Sequence, residues 1–140
     1  MRLNTDFLHR CINTLDQALR ELAAHDPGDM MYDIMRAACV KEFELVSEQS
    51  ASLLHKRLRP FMASNREADR LTFKNLYRHA AKHGLLSVEE CERWLRYRDI
   101  RNSTAHRYGE AFAELALEAL PDFVADAKAL AAMLAEPFDD

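Results

Sequence analysis

Apolar residues return along this chain at three- and four-residue steps, the period of one buried helix face. Phe7, Leu8, Cys11, Ile12, Leu15, Ala18, Leu19 and Leu22 draw the first such face. Asn4, Thr5 and Asp6 stand before it with oxygens suited to a helix N-terminus. His25-Asp26-Pro27-Gly28-Asp29 breaks the pattern. A second face then runs from Met30 to Leu58 through Tyr32, Met35, Cys39, Phe43, Val46 and Leu54, without a Gly or Pro inside it. At 1.5 Å per residue this helix is about 40 Å long. Pro60 stops it, and the polar stretch from Ala63 to Asp69 reads as a loop or a short irregular helix.

Phe73, Leu76, Tyr77 and Ala80 share a face in a third helix over Thr72–His83, and Gly84 stands where a left-handed C-terminal cap is wanted. Ser87-Val88-Glu89-Glu90 is a capping box that opens a fourth helix through Trp94 and Leu95 toward Arg101. Tyr108-Gly109 reads as a break. The final helix spans roughly Glu110–Ala135, with Phe112, Leu115, Ala119, Phe123, Ala127, Leu130 and Leu134 facing inward. Pro121 is expected to kink or divide it. No alternating run is long enough for a strand. The expectation is therefore one all-α domain over residues 1–140, an antiparallel bundle of four or five helices.

Composition agrees: 140 residues with 49% hydrophobic and 30% charged content, 3 Gly and 4 Pro, exclude a disordered or collagen-like chain. The three cysteines, Cys11, Cys39 and Cys91, fall on apolar faces and make neither a disulfide framework nor a zinc knuckle. No signal peptide or membrane span is visible, so a soluble cytoplasmic protein is expected. The net charge of −4 speaks against a nucleic-acid partner until it is divided. From His55 to Arg107 there are 13 basic and 6 acidic residues, a net of +7; the remainder carries −11. That split fits a polyanion-facing patch on an acidic body. It also fits helices whose solvated faces merely differ in sign.

The segment Arg98-Asp99-Ile100-Arg101-Asn102-Ser103-Thr104-Ala105-His106-Arg107-Tyr108 is unusually polar for a late helix of a bundle. If it stays helical, Asn102 and His106 share a face, and Arg101 and Tyr108 share a neighbouring stripe. Histidine can take and give a proton at cellular pH. The planar guanidinium of arginine fits two phosphate oxygens. In RNA the 2′-hydroxyl lies beside the phosphorus, so a base plus a cation is enough to cleave the strand without metal. Taken singly, each residue has a plainer role as a surface, capping or packing group. His79 and His83 are four apart but have no third ligand at metal-site spacing, and read as surface residues of a basic helix.

Together, Arg101-Asn102-x-x-x-His106-x-Tyr108 resembles the signature of the HEPN superfamily. The four-residue spacer and the Tyr two positions after the His are similar to one branch. In it the proteins are encoded beside a minimal nucleotidyltransferase and were earlier described as nucleotidyltransferase substrate-binding proteins. The lead-in from Trp94 to Asn102, the Lys41-Glu42-Phe43-Glu44 segment and the order of helices resemble that branch as well. The resemblance implies the toxin of a type VII HEPN–MNT toxin–antitoxin system, a metal-independent endoribonuclease with no cofactor. Arg101 and His106 would be its catalytic pair and Asn102 an orienting residue, in a composite site made by a homodimer. Arg98 and Arg107 are candidates for RNA contact. The cognate minimal nucleotidyltransferase antitoxin would silence the nuclease by adenylylating Tyr108. The same residues would also serve a non-catalytic nucleotide- or substrate-binding subunit of a two-component nucleotidyltransferase, or a scaffold whose Arg/His ridge is a dimer interface.

Overall fold

A computed structural model describes residues 1–104 and 110–140, with side chains described for 1–103 and 114–140. The elements are α1 (Asp6–Ala23), α2 (Met30–Leu58), a 3₁₀ turn (Arg59–Phe61), the single-turn α3 (Asn65–Asp69), α4 (Phe73–Lys82), α5 (Val88–Thr104) and α6 (Glu110–Ala135). Every regular element among the described residues is helical, as the 3.6-residue period requires. The long α2 is the spine. It packs on α1 along one side and on α6 along another, while α4 and α5 form an antiparallel pair closing the bundle against α2 and α6.

The helix ends follow their local chemistry. Asp29, inside the breaker segment, also starts α2, its carboxylate accepting from the Met31 N–H at 2.9 Å. At α1 the N-terminal acceptor is Asn4 Oδ1, which takes the Asp6 N–H at 3.0 Å; Thr5 makes no capping bond and is buried. Between α4 and α5 the chain turns through Gly84 at φ +75°. There Leu85 N–H reaches Ala80 O at 2.9 Å and Gly84 N–H reaches Ala81 O at 3.1 Å, the paired bonds of a Schellman cap. The capping box closes reciprocally: Glu90 N–H donates to Ser87 Oγ and Ser87 N–H to Glu90 Oε1, both at 3.0 Å.

Three expectations change. α6 continues through Pro121 without dividing; Pro121 lies on the exposed side, where losing one backbone N–H leaves a carbonyl open to water. Phe7 and Leu115, assigned inward, are each 50% exposed. Trp94 and Tyr97, on the helix that leads into the polar segment Arg98–Tyr108, are buried and not part of an exposed ridge. Trp94 stacks on Tyr77 at 5.0 Å and meets Tyr97 and Phe123 edge-on at 5.5 Å each. Tyr97 meets Phe123 at 5.0 Å. This aromatic cluster is where α2, α4, α5 and α6 converge, and the polar segment begins one turn beyond it. Cys11, Cys39 and Cys91 are buried free thiols; burial pushes the Cys39 thiol up to about 11.

Candidate functional site

The C-terminal half of α5 carries the polar segment. Its base is held by a buried lock to α6. Arg93 donates to both oxygens of Asp126, Nε to Oδ2 at 2.8 Å and Nη2 to Oδ1 at 2.9 Å. The Tyr97 hydroxyl donates to Asp126 Oδ2 at 2.5 Å. Burial pushes the Asp126 carboxyl up, but the hydrogen bonds from Arg93 and Tyr97 outweigh it and leave it below its ordinary value. Burial, followed by the bond to Asp126, drives the Tyr97 phenol well above its usual range. Tyr97 is thus a neutral donor fixing the register of α5 one turn before Arg101.

Beyond the lock, each charged residue finds a partner on another helix. Arg101 Nη2 donates to Glu48 Oε1 of α2 at 2.9 Å. Its side chain is 24% exposed and that of Glu48 is 55% exposed. The Arg98 guanidinium lies over the Phe73 ring of α4 at 4.4 Å. Burial, and then the charge of Arg101, hold its pKa below the ordinary arginine value. Asp99 meets Lys74 of α4 at 3.3 Å. The Ser103 hydroxyl bonds back to Asp99 O at 2.9 Å, and Asn102 is exposed. Arg98 and Arg101 are three residues apart, so their stems share one side of α5, between α4 and α2.

His106, Arg107 and Tyr108 lie outside the described residues, as does the expected break at Tyr108-Gly109. The side chain of Phe112 does too. Of the sequence-derived site, the structure brings together Arg98, Arg101 and Asn102 at the end of α5 and adds Glu48. Glu48 went unread because it is 53 residues from Arg101; its one sequence signal is its place on the same helix as Lys41-Glu42-Phe43-Glu44. His79 and His83 are half-buried rather than surface residues, since His83 stacks on Phe61 at 4.3 Å. Among the described residues, no group of three or more His, Cys, Asp or Glu side chains is placed to hold a metal. Among the described residues, no helix is long and apolar enough to cross a membrane.

The fold and this ridge define an all-α domain whose penultimate long helix presents clustered arginines at one end of the bundle. The chain belongs to the family described as nucleotidyltransferase substrate binding protein like, which it matches over residues 3–136. It is 26% identical over 133 residues to a Haemophilus influenzae protein named probable ribonuclease HepT, covering 92% of this chain and 90% of that one. A solved Haemophilus influenzae structure, described as having the fold of a substrate-binding domain of a nucleotidyltransferase, superposes with a TM-score of 0.83. It is 24% identical, with 95% of this chain and 100% of that chain covered. A Thermus thermophilus crystal structure superposes with a TM-score of 0.71 at 26% identity, with 92% and 99% covered.

Proposed function

We propose that this chain, as one domain over residues 1–140, is the toxin of a type VII HEPN–MNT toxin–antitoxin pair. It is a cytoplasmic, metal-independent endoribonuclease that works as a homodimer. The observation that carries the reading is the Arg101-Asn102-x-x-x-His106-x-Tyr108 pattern starting at the end of α5, in a chain similar over nine-tenths of its length to a protein named as a ribonuclease. His106 takes the proton of the RNA 2′-hydroxyl, and that oxygen attacks the adjacent phosphorus. The bond to the 5′-oxygen breaks, the leaving oxygen gains a proton, and a 2′,3′-cyclic phosphate remains. With two motifs facing one cleft, His106 of the partner subunit can supply that proton. Arg101 matches the charge gathered on the phosphate oxygens, Asn102 orients substrate, and Arg98 and Arg107 add backbone contacts. The cognate minimal nucleotidyltransferase transfers an adenylyl group from ATP to the Tyr108 oxygen, releasing pyrophosphate. The new phosphodiester places negative charge and bulk where RNA phosphate binds.

Purified protein in excess EDTA should cleave RNA to cyclic-phosphate ends. Arg101→Ala and His106→Ala should each lower the rate by about 10²-fold or more, the scale of a lost acid–base or phosphate-stabilising group. Full cleavage in both variants places the activity elsewhere. Coexpression with the nucleotidyltransferase should add adenylyl-sized mass increments to the wild type and none to Tyr108→Phe. The family description favours a second reading, a non-catalytic substrate-binding subunit. It wins if the protein copurifies with the nucleotidyltransferase while RNA stays intact.

A further inference from the structure

The basic stretch is not uniformly available to a ligand. Arg59 is tied by two bonds to Asp69, at 3.0 and 2.9 Å, and Arg93 by two to Asp126. Arg57 lies over Phe138 at 4.3 Å, and Arg98 over Phe73. Among the basic residues that face outward, five recur at four-residue steps in the sequence: Arg66, Arg70, Lys74, Arg78 and Lys82, all exposed, with Lys74 meeting Asp99 at 3.3 Å; Lys56 and Arg96 are exposed as well. Lys74, Arg78 and Lys82 follow one side of α4. Arg78 donates to Asn75 Oδ1 at 3.4 Å, and Asn75 in turn lines, with Arg66, Arg70, Thr72 and the carboxylate of Glu67, a cavity of about 300 Å³. The series passes the candidate site at its middle member, because Phe73 carries Arg98 and Lys74 meets Asp99 of α5, and Lys74, Arg78 and Lys82 lead away from it along α4.

We propose that Arg66, Arg70, Lys74, Arg78 and Lys82 form a tract that holds the sugar–phosphate backbone of the RNA strand leaving the Arg101–His106 site. Within α4, four residues rise about 6 Å, so Lys74, Arg78 and Lys82 are spaced by a step comparable with successive phosphates on an extended single strand, while Arg66 and Arg70 belong to α3 and its C-terminal end. Asp69 and Asp99, two of the acids along this face, are already paired with Arg59 and Lys74. A protein-docking face has an apolar centre, whereas none of the exposed large hydrophobic residues among the described residues lies on α3 or α4. The tract therefore reads charge along a backbone rather than base sequence, and its binding is tolerant of sequence and steeply salt-dependent.

The proposal rests on the ribonuclease reading, and two measurements separate them. The first is binding of a fluorescent 20-nucleotide oligouridylate to the cleavage-deficient His106→Ala protein across a potassium chloride series. Each single-strand phosphate neutralised contributes about 0.7 to the log–log slope. Arg70→Gln/Arg78→Gln/Lys82→Gln, placed on that background, should lower the slope by about 2 and weaken binding more than tenfold at low salt. These side chains are exposed, so the fold is kept, and circular dichroism checks it. The second is cleavage by the same triple variant with His106 intact: KM for a long RNA should rise with kcat unchanged, and cleavage of a trinucleotide should not change. Cleavage that persists with an unaltered salt slope overturns the tract and leaves the nuclease standing. Absence of both RNA binding and cleavage overturns both. Loss of nucleotidyltransferase capture with RNA binding intact makes the stripe a protein-docking face and also overturns the tract.

Discussion

Removing one oxygen atom from the α5–α6 lock measures how firmly the candidate site is held. Tyr97→Phe keeps the ring, and with it the edge contacts to Trp94 and Phe123, but deletes the hydroxyl that donates to Asp126 at 2.5 Å. Tyr97 and Asp126 are 5% and 8% exposed, so water does not readily replace the lost donor. A hydrogen bond to a charged acceptor contributes about 1.5–3 kcal/mol net; about 2 kcal/mol is expected, because Arg93 still binds both carboxylate oxygens. For a chain of this size that is a fall in Tm of roughly 6–10 °C. The penalty has a defined pH range. The folded Asp126 carboxyl titrates below its ordinary 3.8, so its contribution is complete above the unfolded value and is lost as pH falls through the folded one. The difference between wild type and Tyr97→Phe should therefore hold from pH 5 to 8 and shrink only at acid pH, as the folded Asp126 carboxyl, held below its ordinary 3.8, takes up its proton. Urea unfolding followed by circular dichroism at several pH values reads it. A penalty under about 0.5 kcal/mol at pH 7, or a penalty that grows as the pH is lowered, would refute the charge-assisted account.

Gly84→Ala should cost about 1 kcal/mol, a purely conformational charge for a left-handed residue, because the added Cβ meets nothing within 4 Å; Gly84→Asn should recover part of it in a urea midpoint. Glu48→Gln keeps an acceptor for Arg101 but removes the anion that, on the proposed function, competes with RNA phosphate. Stability should move by less than about 0.5 kcal/mol, and the KM for RNA should fall several-fold; a KM that rises would make Glu48 a required orienter of Arg101. Cys39, with its thiol at about 11, should resist a thiol-specific disulfide reagent at pH 8 in the native protein and react in denaturant; rapid native labelling at Cys39 would contradict its burial.

Local devices were fully legible in the sequence. The Gly84 cap and the Ser87–Glu90 box each involve residues within a few positions, and the bonds formed are the ones those residue types require. Helix faces were legible as periods, but a period does not say how far neighbouring helices reach, so Phe7 and Leu115 were assigned inward and emerged half in water. Pairings between distant residues were not legible. Arg101 with Glu48, Asp99 with Lys74, and Asp126 with Arg93 span 53, 25 and 33 positions, and a carboxylate on a helix carries no mark of its eventual partner. The arginine-rich pattern could be read as chemistry, whereas which arginines stay available depends on tertiary contacts.

The tight connection between α4 and α5 has a kinetic consequence. Residues 80–90 are bonded only to near neighbours along the chain, so this hairpin closes a small loop and loses little chain entropy on forming. It is a natural early unit of folding, ready before α2 supplies its distant contacts. Ser87→Ala should accordingly slow refolding more than it speeds unfolding, giving a φ-value near 1. Lys74, Arg78 and Lys82 lie on the first arm of that hairpin and Arg98 and Arg101 on the second, so this part of the proposed RNA-facing surface is assembled as a single local segment, and the rest of the bundle is built around it.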